Sequence, residues 1–282
     1  MARHSRLLLP SHLVLILLAV GNVYADEVIA LNTRPGIRQS FLLIEPRERI
    51  NGVVLMFPGD DGVIKFVKEK DGYRLDHDGA GLTGKKQAIE TYRSSGLVAA
   101  VIAPPSDKEG GMKVAFRSSD EHLTDIRMVI DYLRQKYGQK IYLHGHCLGG
   151  HSPASITTKL KNEGIAGLIL SSPRSVSVRK QPTALTDYQR GVVSVPVLLI
   201  QHKQDSCPGT SHVNLGLVQS HYEQSSNKVD SILVSGGDIQ MRRSWFPCKN
   251  GAHAFRGLEE EVTGAISNWI LGKDFPRQIS GS

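Results

Sequence analysis

Hydrophobic positions in this chain fall into short unbroken runs, separated by longer stretches in which they recur every three or four residues. The run from Gly52 to Phe57 ends in Pro58-Gly59-Asp60-Asp61-Gly62, which predicts a strand delivering the chain into a tight loop. Leu97 to Ala103 is a second run, closed by Pro104-Pro105, and Lys140–His144, Gly167–Leu170, Val195–Gln201 and Asp230–Val234 predict four more strands. Between them, 122–137 sets Leu123, Ile126, Val129, Ile130 and Leu133 on one face of a helix, with Gly138 placed as a C-terminal cap. A second amphipathic helix is expected at 258–271. Strands buried on both faces and separated by helices predict an α/β fold, a mostly parallel central sheet flanked by helices on both faces. No internal repeat or low-complexity stretch interrupts this order. One domain over 26–275 accounts for it, with 276–282 expected as a frayed tail.

The first 25 residues do not fit that alternation. Arg3 and Arg6 precede the apolar run Leu13 to Val20, and Val23-Tyr24-Ala25 follows before Asp26. A basic head, a short apolar core and small residues at an A-x-A-like site describe a secretory signal peptide. The run is well short of the ~20 residues that span a bilayer, so stable membrane insertion is not expected. Export to a periplasm or to the outside is expected instead.

Composition changes little. The chain is 40% hydrophobic and 22% charged, ordinary values for a globular protein, and its net charge of +7 includes Arg3 and Arg6 of the leader. Lys65, Lys68, Lys70, Lys85 and Lys86 have acidic neighbours, and no basic stripe is interleaved with aromatics. Nucleic acid is therefore not an expected partner. No dinucleotide fingerprint, phosphate loop or metal-ligand spacing is present, so neither cofactor nor metal is expected; the oligomeric state is left open.

The sharpest chemical signal is Gly145-His146-Cys147-Leu148-Gly149-Gly150, directly after a strand and before a helical stretch. It matches the G-x-S-x-G nucleophile elbow with cysteine in the serine slot. So tight a reversal strains the central residue and leaves room only for glycine beside it. The turn lifts one heteroatom to the carboxyl edge of the sheet, where open α/β folds bind ligands, with a helix N-terminus behind it to stabilise an anion. Half an oxyanion hole is expected from the Leu148 N–H, and the other half from Gly59 or Asp60 in the loop after the first predicted strand.

Such a nucleophile needs a carboxylate and then a histidine, in that chain order. Asp205 follows the strand ending at Gln201, and His253 precedes the last helix within Asn250-Gly251-Ala252-His253-Ala254-Phe255. His253 is expected to move the proton and Asp205 to hold its tautomer, with Asp230 and Asp238 as competitors for the acid. Cys207 lies two residues past Asp205 and Cys248 five before His253. A bridge between them pins the acid and base loops and leaves Cys147 reduced; the alternatives are free thiols or a bond from either to Cys147.

With these motifs, the chain resembles a bacterial exported branch of the α/β-hydrolase superfamily, from about Val28 to Leu271. Phe57 to Gly62, Ala103 to Asp107, Gln201 to Asp205 with Cys207, and Cys248 with His253 to Gly257 carry the resemblance. Cysteine at the elbow is similar to dienelactone hydrolases; Leu148-Gly149-Gly150, and Ala254 before Phe255 where Gly is usual, depart from the pattern. The reaction itself is read from the residues: Cys147, His253 and Asp205 predict hydrolysis of a small ester, lactone or thioester through an acyl-enzyme, with a small molecule as substrate. A non-catalytic binding protein on the same scaffold and an acyltransferase are the alternatives. A lipase fits less well, because the possible cap segment 173–194 carries Arg174, Arg179, Lys180 and Arg190 and few large apolar residues.

Overall fold

The computed structural model describes residues 26–70, 72–77, 81–177, 184–188, 191–239, 248 and 251–281. The predicted leader, and Arg179, Lys180 and Arg190 of the cap segment, lie outside them.

Eleven strands and six α-helices are described. The strands are β1 (Glu27–Arg34), β2 (Ile37–Ile44), β3 (Gly52–Phe57), β4 (Ile64–Glu69), β5 (Gly72–His77), β6 (Leu97–Ile102), β7 (Ile141–His146), β8 (Ile165–Ser171), β9 (Val197–His202), β10 (Val229–Ser235) and β11 (Gln278–Ser280). The helices are α1 (Lys86–Ser94), α2 (Val114–Arg117), α3 (Asp120–Tyr137), α4 (His151–Lys159), α5 (Leu215–Tyr222) and α6 (Glu259–Ile270).

Nine strands form one sheet in the order β1-β2-β6-β3-β7-β8-β9-β10-β11. From β6 to β11 every pairing is parallel, while β1 and β2 add an antiparallel edge. Parallel strands buried on both faces need apolar residues in both phases, and this sequence supplies them. Val54 and Met56 of β3, Ile169 of β8, and Leu198 and Ile200 of β9 pack toward α1 and α6, against Tyr92, Val262 and Trp269. Val53, Leu55 and Phe57 point the other way, toward Ile126, Val129 and Leu133 of α3 and Ile156 of α4. Farther along that face, Leu168, Leu170, Val197 and Leu199 meet Val218 and Tyr222 of α5.

The longest helix starts and stops where its sequence says it should. Ser119 accepts a hydrogen bond from the His122 N–H, Asp120 and Glu121 occupy the positive first turn, and Gly138 closes α3 at φ 59°.

Three features went unread in the sequence. The β1–β2 hairpin is stitched onto α3 by Arg34, whose Nε donates to Asp125 Oδ1 at 2.9 Å. β4 and β5 make a small separate antiparallel sheet just after the β3 loop. The C-terminus corrects the expectation of a frayed tail: β11 pairs with β10 through Leu233–Gln278, Val234–Ile279 and Ser235–Ser280. Ile279 is buried between two exposed neighbours, an alternation too short to register as a strand by itself.

Candidate active site

β7 runs two residues farther than its apolar run suggested and ends at His146; Cys147 then opens a 3-10 turn (Cys147–Gly150) leading straight into α4. Cys147 sits at φ 49°, in the left-handed region that costs a non-glycine residue free energy. The flanking glycines are needed on steric grounds. A Cβ on Gly149 falls 2.3 Å from the Phe57 carbonyl oxygen, and one on Gly145 falls 2.6 Å from the Gly150 Cα. Asp60, Ser172 and Phe255, also at positive φ, follow β3, β8 and His253 respectively, so with Cys147 four of the six described non-glycine residues at positive φ lie around this site.

Asp205 lies after β9 and His253 in the turn before α6. His253 Nδ1 and Asp205 Oδ2 are 2.9 Å apart, and both residues are buried. Asp205 is also held by the Thr210 hydroxyl (2.9 Å) and the Gln201 amide (3.0 Å) on Oδ2, and by the Cys207 N–H (2.9 Å) on Oδ1. The Cys147 sulfur, the Cys207 sulfur and a ring nitrogen of His253 all lie within 4.8 Å of one another. With Nδ1 engaged by the carboxylate, Nε2 is the nitrogen left for Cys147.

The electrostatics follow from this packing. Burial works to keep His253 neutral, but negative charge on Cys147 and on Asp205, with hydrogen bonds donated by the imidazole to both, outweighs it and raises the imidazole to about 10. Burial likewise opposes ionisation of Asp205, yet His253 and the donors around the carboxylate hold it below its ordinary value. Beneath the site, Tyr92, His144, Ser171 and His146 form a buried chain of hydrogen bonds of 2.9–3.0 Å, and the His146 ring meets His253 edge-on at 5.0 Å. Desolvation holds His144 and His146 below the usual histidine value, so both are neutral packing pieces of the floor.

The β3 loop is clamped from below. Arg117 of α2 is fully buried and donates to the carbonyls of Pro58 (3.3 Å), Asp60 (3.1 Å) and Met112 (3.1 Å). Burial lowers its guanidinium to about 10, with Asp61, Cys147 and Asp60 pulling the other way. Arg174, named above among the charges of the cap segment, is 1% exposed and interacts electrostatically with Cys147. The segment it leads into is seated on this edge: Leu185 is buried and donates its N–H to the Arg174 carbonyl, and the Tyr188 hydroxyl meets His151 Nδ1 at 3.1 Å.

The structure thus brings together Cys147, His253, Asp205 and the Cys207–Cys248 bridge, which is formed. Gly59 and Asp60 lie in the loop after β3, which packs against Gly149 of the Cys147 turn. It sets the competitors elsewhere. Asp230 accepts from Trp269 and Arg277 on β10, and Asp238 pairs with Arg256 near the surface. Gln201, Thr210, Arg117, Arg174 and the buried histidines were not marked in the sequence as site residues. Gln201, His144 and His146 signalled only by lying at strand ends, which many polar residues share, and Arg117 in α2 gave no signal.

Although the cysteines are far apart in sequence, two of them and His253 converge. Cys207 is committed to its disulfide and offers no thiolate, and the remaining two donors are fewer than the three or four protein ligands of a zinc site. Three surface depressions among the described residues lie by Asn51 and Gly96, by Lys140 and Pro196, and beside the β4–β5 hairpin, the first two at the amino ends of the parallel strands.

No protein-family model and no curated protein matches the sequence. Among solved structures, an esterase from Pyrococcus furiosus is similar with a TM-score of 0.58, at 12% identity over 88% of this chain and 92% of that one. A carboxyl esterase from Bacillus coagulans also gives 0.58, at 14% identity over 88% and 98%. Dienelactone hydrolase from Anabaena variabilis gives 0.53, at 14% identity over 88% and 98%. The strand order, the helices on both faces and the sharp turn after β7 make this an α/β-hydrolase fold.

Proposed function

We propose that the protein hydrolyses small esters, lactones or thioesters through Cys147, His253 and Asp205. The observation that carries this reading is the line of contacts itself. A sulfur on a strained strand-to-helix turn lies within 4.8 Å of an imidazole whose far nitrogen is 2.9 Å from a buried carboxylate. The solved structures of this fold named above include two esterases and a dienelactone hydrolase, and they support the same class of bond.

In this scheme the Cys147 thiolate attacks the acyl carbon, forming a C–S bond while the carbonyl π electrons move to oxygen. The Leu148 N–H and an N–H from Gly59 or Asp60 stabilise that oxyanion. As the intermediate collapses, the bond to the leaving oxygen or sulfur breaks and His253 protonates the leaving group. Water then enters, His253 takes its proton, and hydroxide attack releases the acid and restores the thiolate. Arg117 acts as a positioning residue for the β3 loop. The buried Arg174 favours substrates that place negative or carbonyl oxygen beside the thiol, over long apolar chains.

The leader pattern and the disulfide support an exported protein, and among the described residues no helix is long and apolar enough to cross a membrane. The mass of the secreted chain checks this, with Asp26 expected at its N-terminus.

The catalytic proposal is tested by exposing purified protein to a panel of activated esters, then locating any adduct by mass spectrometry. The expected result is a transient acyl group on Cys147, with turnover. No adduct, together with iodoacetamide labelling of Cys147 no faster than free cysteine, would overturn it in favour of a binding protein on the same scaffold.

A further inference from the structure

We propose that Cys147 and the Cys207–Cys248 bridge form a thiol–disulfide interchange site, in which Cys207 can capture the nucleophile and Cys248 is released. The inference starts from a juxtaposition that the triad does not require: the free sulfur of Cys147 lies within 4.8 Å of a sulfur already in a disulfide. Disulfides exchange by attack of a thiolate on one sulfur of the bridge, at a rate set by thiolate character, access and the leaving thiol.

The geometry bears on two of these, access and the leaving thiol. Cys207 is the bridge sulfur in reach and is buried beside the attacker, which keeps competing solvent thiols at a distance. Cys248, by contrast, is only half-buried, so water can reach the departing thiolate as it forms. In the step, the Cys147–Cys207 S–S bond forms while the Cys207–Cys248 bond breaks, and the electron pair leaves on Cys248. One disulfide is consumed and one is made, so no external oxidant or reductant is required. Loop-closure entropy varies only with the logarithm of loop length, so it does not strongly favour either pairing. The balance is set by how well each bridge fits the packed site.

The consequence for activity rests on the hydrolase reading. Interchange removes the nucleophile and pulls on Cys207, whose N–H holds Asp205. Attack by the Cys248 thiolate on Cys207 reverses it.

The interchange is tested by disulfide mapping, a readout independent of turnover. Wild-type protein is held without oxygen or added thiol across a pH series, quenched in acid, alkylated, digested and mapped. A population with Cys147 joined to Cys207 and Cys248 alkylated is expected, growing as pH rises. In Cys248→Ser, oxidised glutathione is expected to close a Cys147–Cys207 bridge and abolish labelling of both thiols. The proposal is overturned if wild-type label stays confined to Cys147 and if Cys248→Ser yields only mixed disulfides with glutathione. Ester turnover followed on the same samples separates the two ideas, since interchange in a protein that never turns over an ester sinks the hydrolase reading alone.

Discussion

The two halves of the candidate site are held in place by different physics. The Cys147 turn is held by exclusion: its backbone threads between β3 and α4 with no room for a methyl group at Gly145 or Gly149. The acid and base loops are held by polar attachments, four side-chain or backbone contacts on Asp205 and one disulfide. The first half is inseparable from the core and stands or falls with it. The second can be loosened one attachment at a time, so its contributions to activity and to stability should come apart.

The largest expected effect tests the chemistry at the turn. Cys147→Ala should cut ester turnover by roughly 10⁴-fold while leaving stability within about 1 kcal/mol, because it removes the attacking atom and little packing. Parallel measurement of kcat/KM and of denaturant unfolding checks both parts.

Next comes the steric half of the comparison. Gly149→Ala should destabilise by about 3 kcal/mol, because its Cβ meets backbone that cannot swing aside. A midpoint of unfolding equal to wild type would show that the turn is looser than the distances say.

Reducing the Cys207–Cys248 bridge should cost less, about 2 kcal/mol, since the loops retain their hydrogen bonds. Turnover should fall more than stability does, and thermal scans with and without a reductant measure the difference. Thr210→Val is smaller again: loss of one hydrogen bond to Asp205 Oδ2 should cost about 1 kcal/mol. Its signature is a lowered kcat with nearly unchanged KM.

The subtlest test is the pH dependence of the pair. His253 is raised above its unfolded value of 6.5, so its contribution to stability is complete below that pH and is lost as pH climbs through about 10. Asp205 is depressed, so its contribution is present above the ordinary carboxylate range and disappears as pH falls through it. Stability should therefore decline as pH rises from about 6.5 and level off above about 10. Cys147→Ser should bring that drop to lower pH, because negative charge on the sulfur is the largest influence raising His253. An unchanged alkaline limb, or an unchanged His253 titration by NMR, would show that the sulfur carries no charge there.

Much of the fold could be read from the chain because parallel strands announce themselves. Runs such as Gly52–Phe57 and Val197–His202 are apolar in both phases and therefore belong in a sheet covered on both faces. The half-buried hairpins were harder. β4 and β5 mix charged residues with a few apolar ones, and β11 has one buried side chain between two exposed ones. The burial of Arg174 was hidden for a related reason: a charged residue in a long connection gives no sign of burial until the fold closes over it.

By itself the sequence determined the local geometry of this protein. Glycines around Cys147 admit one kind of turn, and the order of cysteine, aspartate and histidine is a property of the chain. Only the tertiary structure decided which distant groups meet: that Asp205 and not Asp230 or Asp238 reaches His253, and that a third sulfur stands beside the nucleophile. Backbone strain and hydrophobic period are written over a few neighbouring residues. Contacts between β7, β9 and the turn before α6 depend on how the whole sheet twists and packs, which no short window of sequence contains.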